Sequence, residues 1–350
     1  MNLKQPFAGI AATALVIVIS LLFISLFSFD MFSGWVSFVL ICVIPMEIVM
    51  GVTWGAKLPA WAGSRAQPAR GILLVLLNLG VGAVVAVITF YAIGGAVGPP
   101  TPMLMMCTIV SVIVMFWMAI MFGGYPFTSL IKNQVAAGVA LLVACYVVNY
   151  LLFRLLFSYE FMKGAPVYVA SLDPHGMFNA WYVLVFYMSV LGVMFLVINF
   201  DLWPFHKVPA LMQQPVLGLV WTIVALVIGG GVFYIAVYGL QMDPVAYFAR
   251  GPVPFIFGTI VVQNMMQGSL FAKHKQPVKG VLNTITVVVV GEALAWMFRA
   301  LAPVVTGNVA PGPPGYDAER WLASALLGVT FPCLIFNAEF FKLWPVKQAD

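Results

Sequence analysis

Two glutamates, Glu47 and Glu292, stand deep inside long apolar stretches of the sequence. An acidic side chain kept in hydrocarbon costs on the order of 3 kcal/mol on insertion scales, so both are expected to face the interior of a helix bundle. There they would hold a proton or a cation. Pro45, two residues before Glu47, leaves a main-chain carbonyl without its donor in the preceding turn, and Gly291 beside Glu292 admits a close neighbour. A purely structural reading stands beside this one, in which each glutamate is protonated and hydrogen-bonded to a buried amide.

Amides and acids form a second set. Asn199 lies near Asp201, Gln263 near Asn264 and Gln267, and Asn337 near Glu339, while Asn149 sits alone in another apolar stretch. With the two glutamates they define an expected proton or substrate path of Glu47, Glu292, Asn149, Asn199, Asp201, Gln263, Asn264 and Gln267. The competing reading is interhelical hydrogen bonding, about 0.6 to 2 kcal/mol per contact.

No phosphate loop, dinucleotide fingerprint or HExxH motif occurs, and the three histidines, His175, His206 and His274, fall in loops or at interfaces. Haem, di-iron and copper enzymes need more ligands than that within the bundle. The four cysteines form no CxxC pair. Met115, Met118 and Met121 share a helix face and suggest a soft-metal path, but with no receiving site they read as packing residues. No cofactor and no metal are therefore expected. The segment 158–179 concentrates Tyr159, Glu160, Asp173 and His175, either as a gate or docking loop or as a solvated connection turning at Asp173-Pro174.

The elements that must position these residues follow from composition. Of 350 residues, 63% are hydrophobic and only 8% charged, and the mean hydropathy is +1.06. Soluble domains carry about 25% charged residues. A polytopic all-α membrane protein is expected, since about 20 apolar residues cross the hydrocarbon as a helix. Ten spans are predicted, at 8–29, 34–56, 70–92, 102–123, 135–157, 178–200, 215–240, 252–271, 279–301 and 321–341. The first is read as a retained helix because its apolar run is long for a signal peptide.

Lys57, Arg65, Lys132, Lys207 and Lys275 gather on the side of both termini, and Asp173 and Asp243 on the other. The positive-inside rule makes the terminal side cytoplasmic, in a bacterial-type inner membrane. The net charge of +5 is thus a topology signal, and no nucleic-acid partner is expected.

A phrase, QPxxG, opens four of the odd-numbered spans at Gln5, Gln67, Gln214 and Gln276, and Gln134 to Gly138 keeps all but the proline. Even-numbered spans close on an aromatic and a proline, as at Tyr125-Pro126, Trp203-Pro204 and Trp344-Pro345. Eleven residues after each phrase's glycine stand Ser20, Gly82, Asn149, Gly229 and Gly291, all small or amide-bearing. A single transmembrane domain, 1–350, built as five tandem parallel hairpins at 5–59, 67–127, 134–205, 214–272 and 276–346 accounts for the pattern. Parallel repeats suit rings and pores more than rocking carriers.

The leading expectation is a transporter or channel for a small solute, proton-coupled through the two glutamates. The alternative is a non-catalytic membrane scaffold or subunit that binds lipid, quinone or partner proteins, including further copies of itself. An enzyme acting on a lipid-soluble substrate, with Glu47 or Glu292 as acid and base, is disfavoured by the scarcity of histidine and the short loops.

Overall fold

The computed structural model describes residues 2–313 and 315–348. Among these, ten helices are long and apolar enough to cross a membrane: α1 (Phe7–Ile24), α2 (Phe29–Thr53), α3 (Ala69–Ala92), α4 (Pro102–Met121), α5 (Gln134–Leu156), α6 (Ala180–Asn199), α7 (Val216–Gly239), α8 (Pro244–Met265), α9 (Val278–Val305) and α10 (Asp317–Phe340). The chain is a multi-pass membrane protein. Most boundaries lie within a few residues of those expected. The exception is α8, which begins eight residues early because the Asp243 carboxylate caps it, accepting from Ala246 N at 2.9 Å, with Pro244 in the first turn. It then breaks at Gly251, where Pro252 and Pro254 remove main-chain donors.

The two parities form two layers. Between 56% and 78% of the most apolar stretch of each even-numbered helix is buried, against 28% to 44% for the odd-numbered ones. Each even helix packs on the next, α2 on α4, α4 on α6, α6 on α8, α8 on α10 and α10 back on α2, closing an inner ring. The odd helices lie outside, each in the groove between two inner helices. Leu22, Leu76, Val227 and Trp296 on their outward faces are exposed, as expected where lipid is the solvent.

Both ends of the described chain meet on one face, where Asn2 and Leu3 pair in parallel with Lys347 and Gln348. Here every inner helix stops on two successive left-handed residues, Gly55 and Ala56 in α2's case and Lys342 and Leu343 in α10's. A stopped helix leaves carbonyls without partners. The glutamines supply them. Gln5 Nε2 donates to Met265 O of α8 at 3.2 Å, Gln67 to Phe340 O of α10 at 2.7 Å, Gln134 to Thr53 O of α2 at 2.7 Å and Gln214 to Met121 O of α4 at 2.8 Å. Gln276 donates instead to the Asp201 carboxylate beyond α6, at 2.8 Å. The amide oxygens of Gln5, Gln67, Gln214 and Gln276 accept the N–H of the glycine four residues on, which also lacks a helical partner.

Those glycines are where outer and inner helices touch. A Cβ on Gly71, Gly218 or Gly280 would strike the ring of Phe341, Phe122 or Phe200, and one on Gly138 the Trp54 indole. One level deeper, Gly82, Gly229 and Gly291 press on Val43, Val190 and Pro254 of the preceding inner helix. Each of these outer helices therefore leans from one inner helix to the next.

On the opposite, far face the segment after α5 is folded back on itself. Asp173 is buried and its carboxylate accepts from Tyr159 N, His175 N and the Tyr168 hydroxyl, while Phe157–Ser158 pairs with Phe178–Asn179. Burial pushes the Tyr159 phenol well above its ordinary value. The solvated connection considered from sequence is a tied loop.

The glycine contacts give a direct test. Gly291→Ala, whose added methyl meets the Pro254 main chain, should cost about 1 to 3 kcal/mol. Gly80→Ala, with open space around it, should be neutral or slightly stabilising. Unfolding of both variants in detergent, followed by circular dichroism, measures the difference.

Candidate functional site

A cavity of about 240 Å³ occupies the axis of the inner ring in its terminal-face half, lined by residues of α2, α4, α6, α8 and α10. Glu47 of α2 lines it and is fully buried, with neither carboxylate oxygen hydrogen-bonded. One turn toward the terminal face Gly51 has no side chain, and Glu339 of α10 lies against it, its Cγ 3.6 Å from where a Cβ would stand. Glu339 also meets Lys342 Nζ at 3.3 Å and is partly exposed, so this end of the cavity meets solvent. Gln263, Asn264 and Thr259 of α8 supply the remaining polar lining.

Toward the far face the cavity ends on aromatic rings. Phe116 of α4 stands edge-to-face with Phe195 of α6, centroids 5.3 Å apart, and with Phe331 of α10, 6.1 Å apart. Nearer the far face Phe32 of α2 and Trp321 of α10 are both buried, their rings edge-to-face with centroids 6.3 Å apart. The arrangement is a vestibule with an unpaired carboxyl buried in its wall. Chemically it can accept a proton, or pair with a cation that comes in from the terminal face.

Of the residues expected from sequence, Glu47, Gln263 and Asn264 come together in this cavity. Asn199, Asp201 and Gln263 form an adjoining polar cluster. Gln263 Nε2 donates to Asn199 Oδ1 at 2.9 Å, Asn283 Nδ2 to Asn199 O at 3.3 Å, and Lys279 Nζ meets Asp201 Oδ2 at 2.7 Å. Asn149 lies apart, on outer helix α5, donating to Cys107 O at 3.1 Å. Gln267 sits at the left-handed stop of α8, exposed. Asn199, by contrast, is buried.

Glu292 departs from expectation. It lies on the exposed face of α9, away from the cavity. The cause is its neighbour: Gly291 is the residue that fits against Pro254 and Gly258, and the next residue on a helix turns by about 100°. Arg299, further along α9, donates to Ala249 O beside the break in α8 at 3.1 Å.

Glu339, grouped with Asn337 in the amide and acid series but left out of the expected path, and Thr259, not singled out from sequence, also belong to the cavity. Counting back from the helix stops finds Glu339. Val52, Ile120, Ile198, Asn264 and Glu339 each stand four residues before the second left-handed residue of their helix, and all line the cavity. A second, more open apolar crevice of about 360 Å³ between α7 and α8 contains Arg250 and Tyr247 but none of these groups. The axial cavity is the candidate because its charge-bearing group without a partner, Glu47, is fully buried, whereas Arg250 of the crevice is exposed.

The chain matches no protein-family model, no curated protein and no solved structure.

Asn199 is the hub of the polar cluster, so Asn199→Ala should strand the Gln263 amide and lower stability by about 0.6 to 2 kcal/mol. Chemical unfolding in detergent against the wild type gives the value. A neutral Asn199→Ala would assign Gln263 to solvent or solute contacts instead.

Proposed function

We propose that the protein is a transporter or channel for a small solute whose path runs along the axis of the inner ring, with Glu47 as the ionisable group in that path. One observation carries the reading: a buried carboxylate with no hydrogen-bond partner lines a cavity to which all five inner helices contribute. A carboxylate kept solely for packing would be expected to find a partner, because a buried polar group left unpaired costs about 1 to 3 kcal/mol. Coupling to protons would pass through Glu47. Glu292 is separated from it, and Asn199, Gln263 and Asn264 would line the path or its wall.

The architecture proposed with this function is five copies of one hairpin around the axis. It is supported by the glutamine-to-helix-end bonds, the glycines beneath them and the lining positions at one register from the helix stops. An inverted five-plus-five arrangement would map α1 onto α6 and so an outer helix onto an inner one, which the two layers do not permit.

We take the terminal face as cytoplasmic, in a bacterial-type inner membrane, from its excess of lysine and arginine. The solute then enters the vestibule from the cytoplasm. Cysteines placed at exposed Arg65 and Lys163 test this. An impermeant maleimide added to intact cells should label only the position-163 variant, and labelling at 65 would reverse the orientation.

A second reading, a membrane scaffold or subunit, is favoured by Glu292 alone. An acidic side chain facing hydrocarbon asks for a covering partner helix or a second copy.

The deciding variant is Glu47→Gln, which keeps shape and hydrogen-bonding capacity but carries no charge and exchanges no proton. In proteoliposomes screened with a panel of small ions and metabolites, it should fold and reconstitute normally while solute flux, and its response to a pH gradient, falls at least tenfold. Unchanged flux and pH response in Glu47→Gln would remove Glu47 from the path.

A further inference from the structure

The vestibule's lining says more about its occupant than that it is small. At 240 Å³ it lies below the about 300–1,000 Å³ of pockets for drug-sized ligands. Its charge-bearing groups are acidic, Glu47 deep and Glu339 nearer the mouth, and only Glu339 has a cationic partner, Lys342 at 3.3 Å. An anion would meet two carboxylates and no unpaired cation there. A neutral solute would suit Glu47 only in its protonated form, whereas a cation pairs with the carboxylate.

Two kinds of cation remain. A bare metal ion requires several oxygen ligands converging on one point, about six to eight for calcium. Among the described residues there is no cluster of three His, Cys, Asp or Glu side chains, and the cavity lining holds two carboxylates. Most of the lining is instead apolar, with Ile48, Ile260 and Ile335 on the walls and Phe116, Phe195 and Phe331 at the far-face end. A carboxylate joined to an aromatic and aliphatic wall is the combination that holds a cation with a hydrocarbon body. The carboxylate pairs with the charge, ring faces attract it by their quadrupoles at about 0.5 to 2 kcal/mol each, and the walls take the alkyl groups.

We propose that the axial cavity binds a small organic ammonium ion, its nitrogen near Glu47 and its alkyl groups against Phe116, Phe195 and Phe331. This rests on the reading of the cavity as a solute site and names the class of solute. Glu339 and its lysine form the entry: an arriving ammonium competes with Lys342 for the Glu339 carboxylate before moving one turn deeper, past Gly51.

The test uses the purified full-length chain in detergent, with tetramethylammonium chloride as probe and sodium chloride at equal ionic strength as control. Isothermal titration should show saturable heat with tetramethylammonium alone. Glu47→Gln should weaken binding at least tenfold and Phe195→Leu severalfold, while Glu160→Gln on the far-face surface should leave it unchanged. Phe195→Leu keeps the test decisive should Glu47→Gln fold poorly, since it retains the charge and removes an aromatic ring. Equal heats with sodium, or an affinity indifferent to both variants, would overturn the proposal.

Proteoliposome flux separates this from the broader reading. Glu47-dependent flux of an anion or a neutral solute, without ammonium binding, overturns the ammonium class and leaves the conduit standing. Ammonium binding at Glu47 with no flux upholds the site and overturns the conduit.

Discussion

A membrane helix that stops has to find partners for its last carbonyls, since hydrocarbon offers none and water reaches only the interface. In this protein the partner is a glutamine side chain from an outer helix. In Gln5, Gln67 and Gln214 one amide closes two helix ends, donating to the inner helix's terminal carbonyl and accepting an N–H of its own helix's first turn. The rest of the structure hangs from that bond, because it fixes which inner helix each outer helix docks on and at what height. Fixing those heights holds the inner ring in register.

Close approach completes what the amide begins. Apolar side chains gain little by leaving lipid for one another, so helices in a membrane associate through tight packing and small residues. Gly71, Gly218 and Gly280 let aromatic rings of the inner helices lie against the outer backbone, and Gly82, Gly229 and Gly291 repeat the contact deeper in the bilayer. The outer layer clamps the ring at two levels. A clamped ring of five helices has a narrow axis, bounded by Phe116, Phe195 and Phe331, with the vestibule open where Gly51 and the polar residues of α8 line it.

The pattern breaks at α6, and the break has consequences. Its end lacks the wide final turn that closes α2, α4, α8 and α10, and Gln276 takes the Asp201 carboxylate as acceptor with Lys279 beside it. Both members of that ion pair are partly exposed, so it is worth no more than about 1 kcal/mol. Asn283 turns to Asn199 O, and Asn199 in turn receives Gln263. Thr259, Gln263 and Asn264 make α8 the polar side of the vestibule, while Glu47 and Glu339 bring their carboxyl groups to the α2 and α10 side. The cavity is chemically lopsided within a regular frame.

The sequence by itself determined the membrane class, the ten spans and the phrases at their ends, because span length and helix-end chemistry are local properties that hydrocarbon enforces. It also marked Glu47 as costly and singled out Gln263 and Asn264. Only the tertiary structure decided which side each residue faces. Glu47 and Glu292 look alike in sequence, yet one lies in the axial cavity and the other on the outer surface, because the docking glycine at position 291 claims the inward face of α9 and rotates its neighbour out. Glu339 carried no stronger local signal than Asn337, and its place in the vestibule follows from the register set by the α10 helix stop. Periodicity within one helix names a face but not what lies opposite it. The close packing of five inner helices against five outer ones settles that.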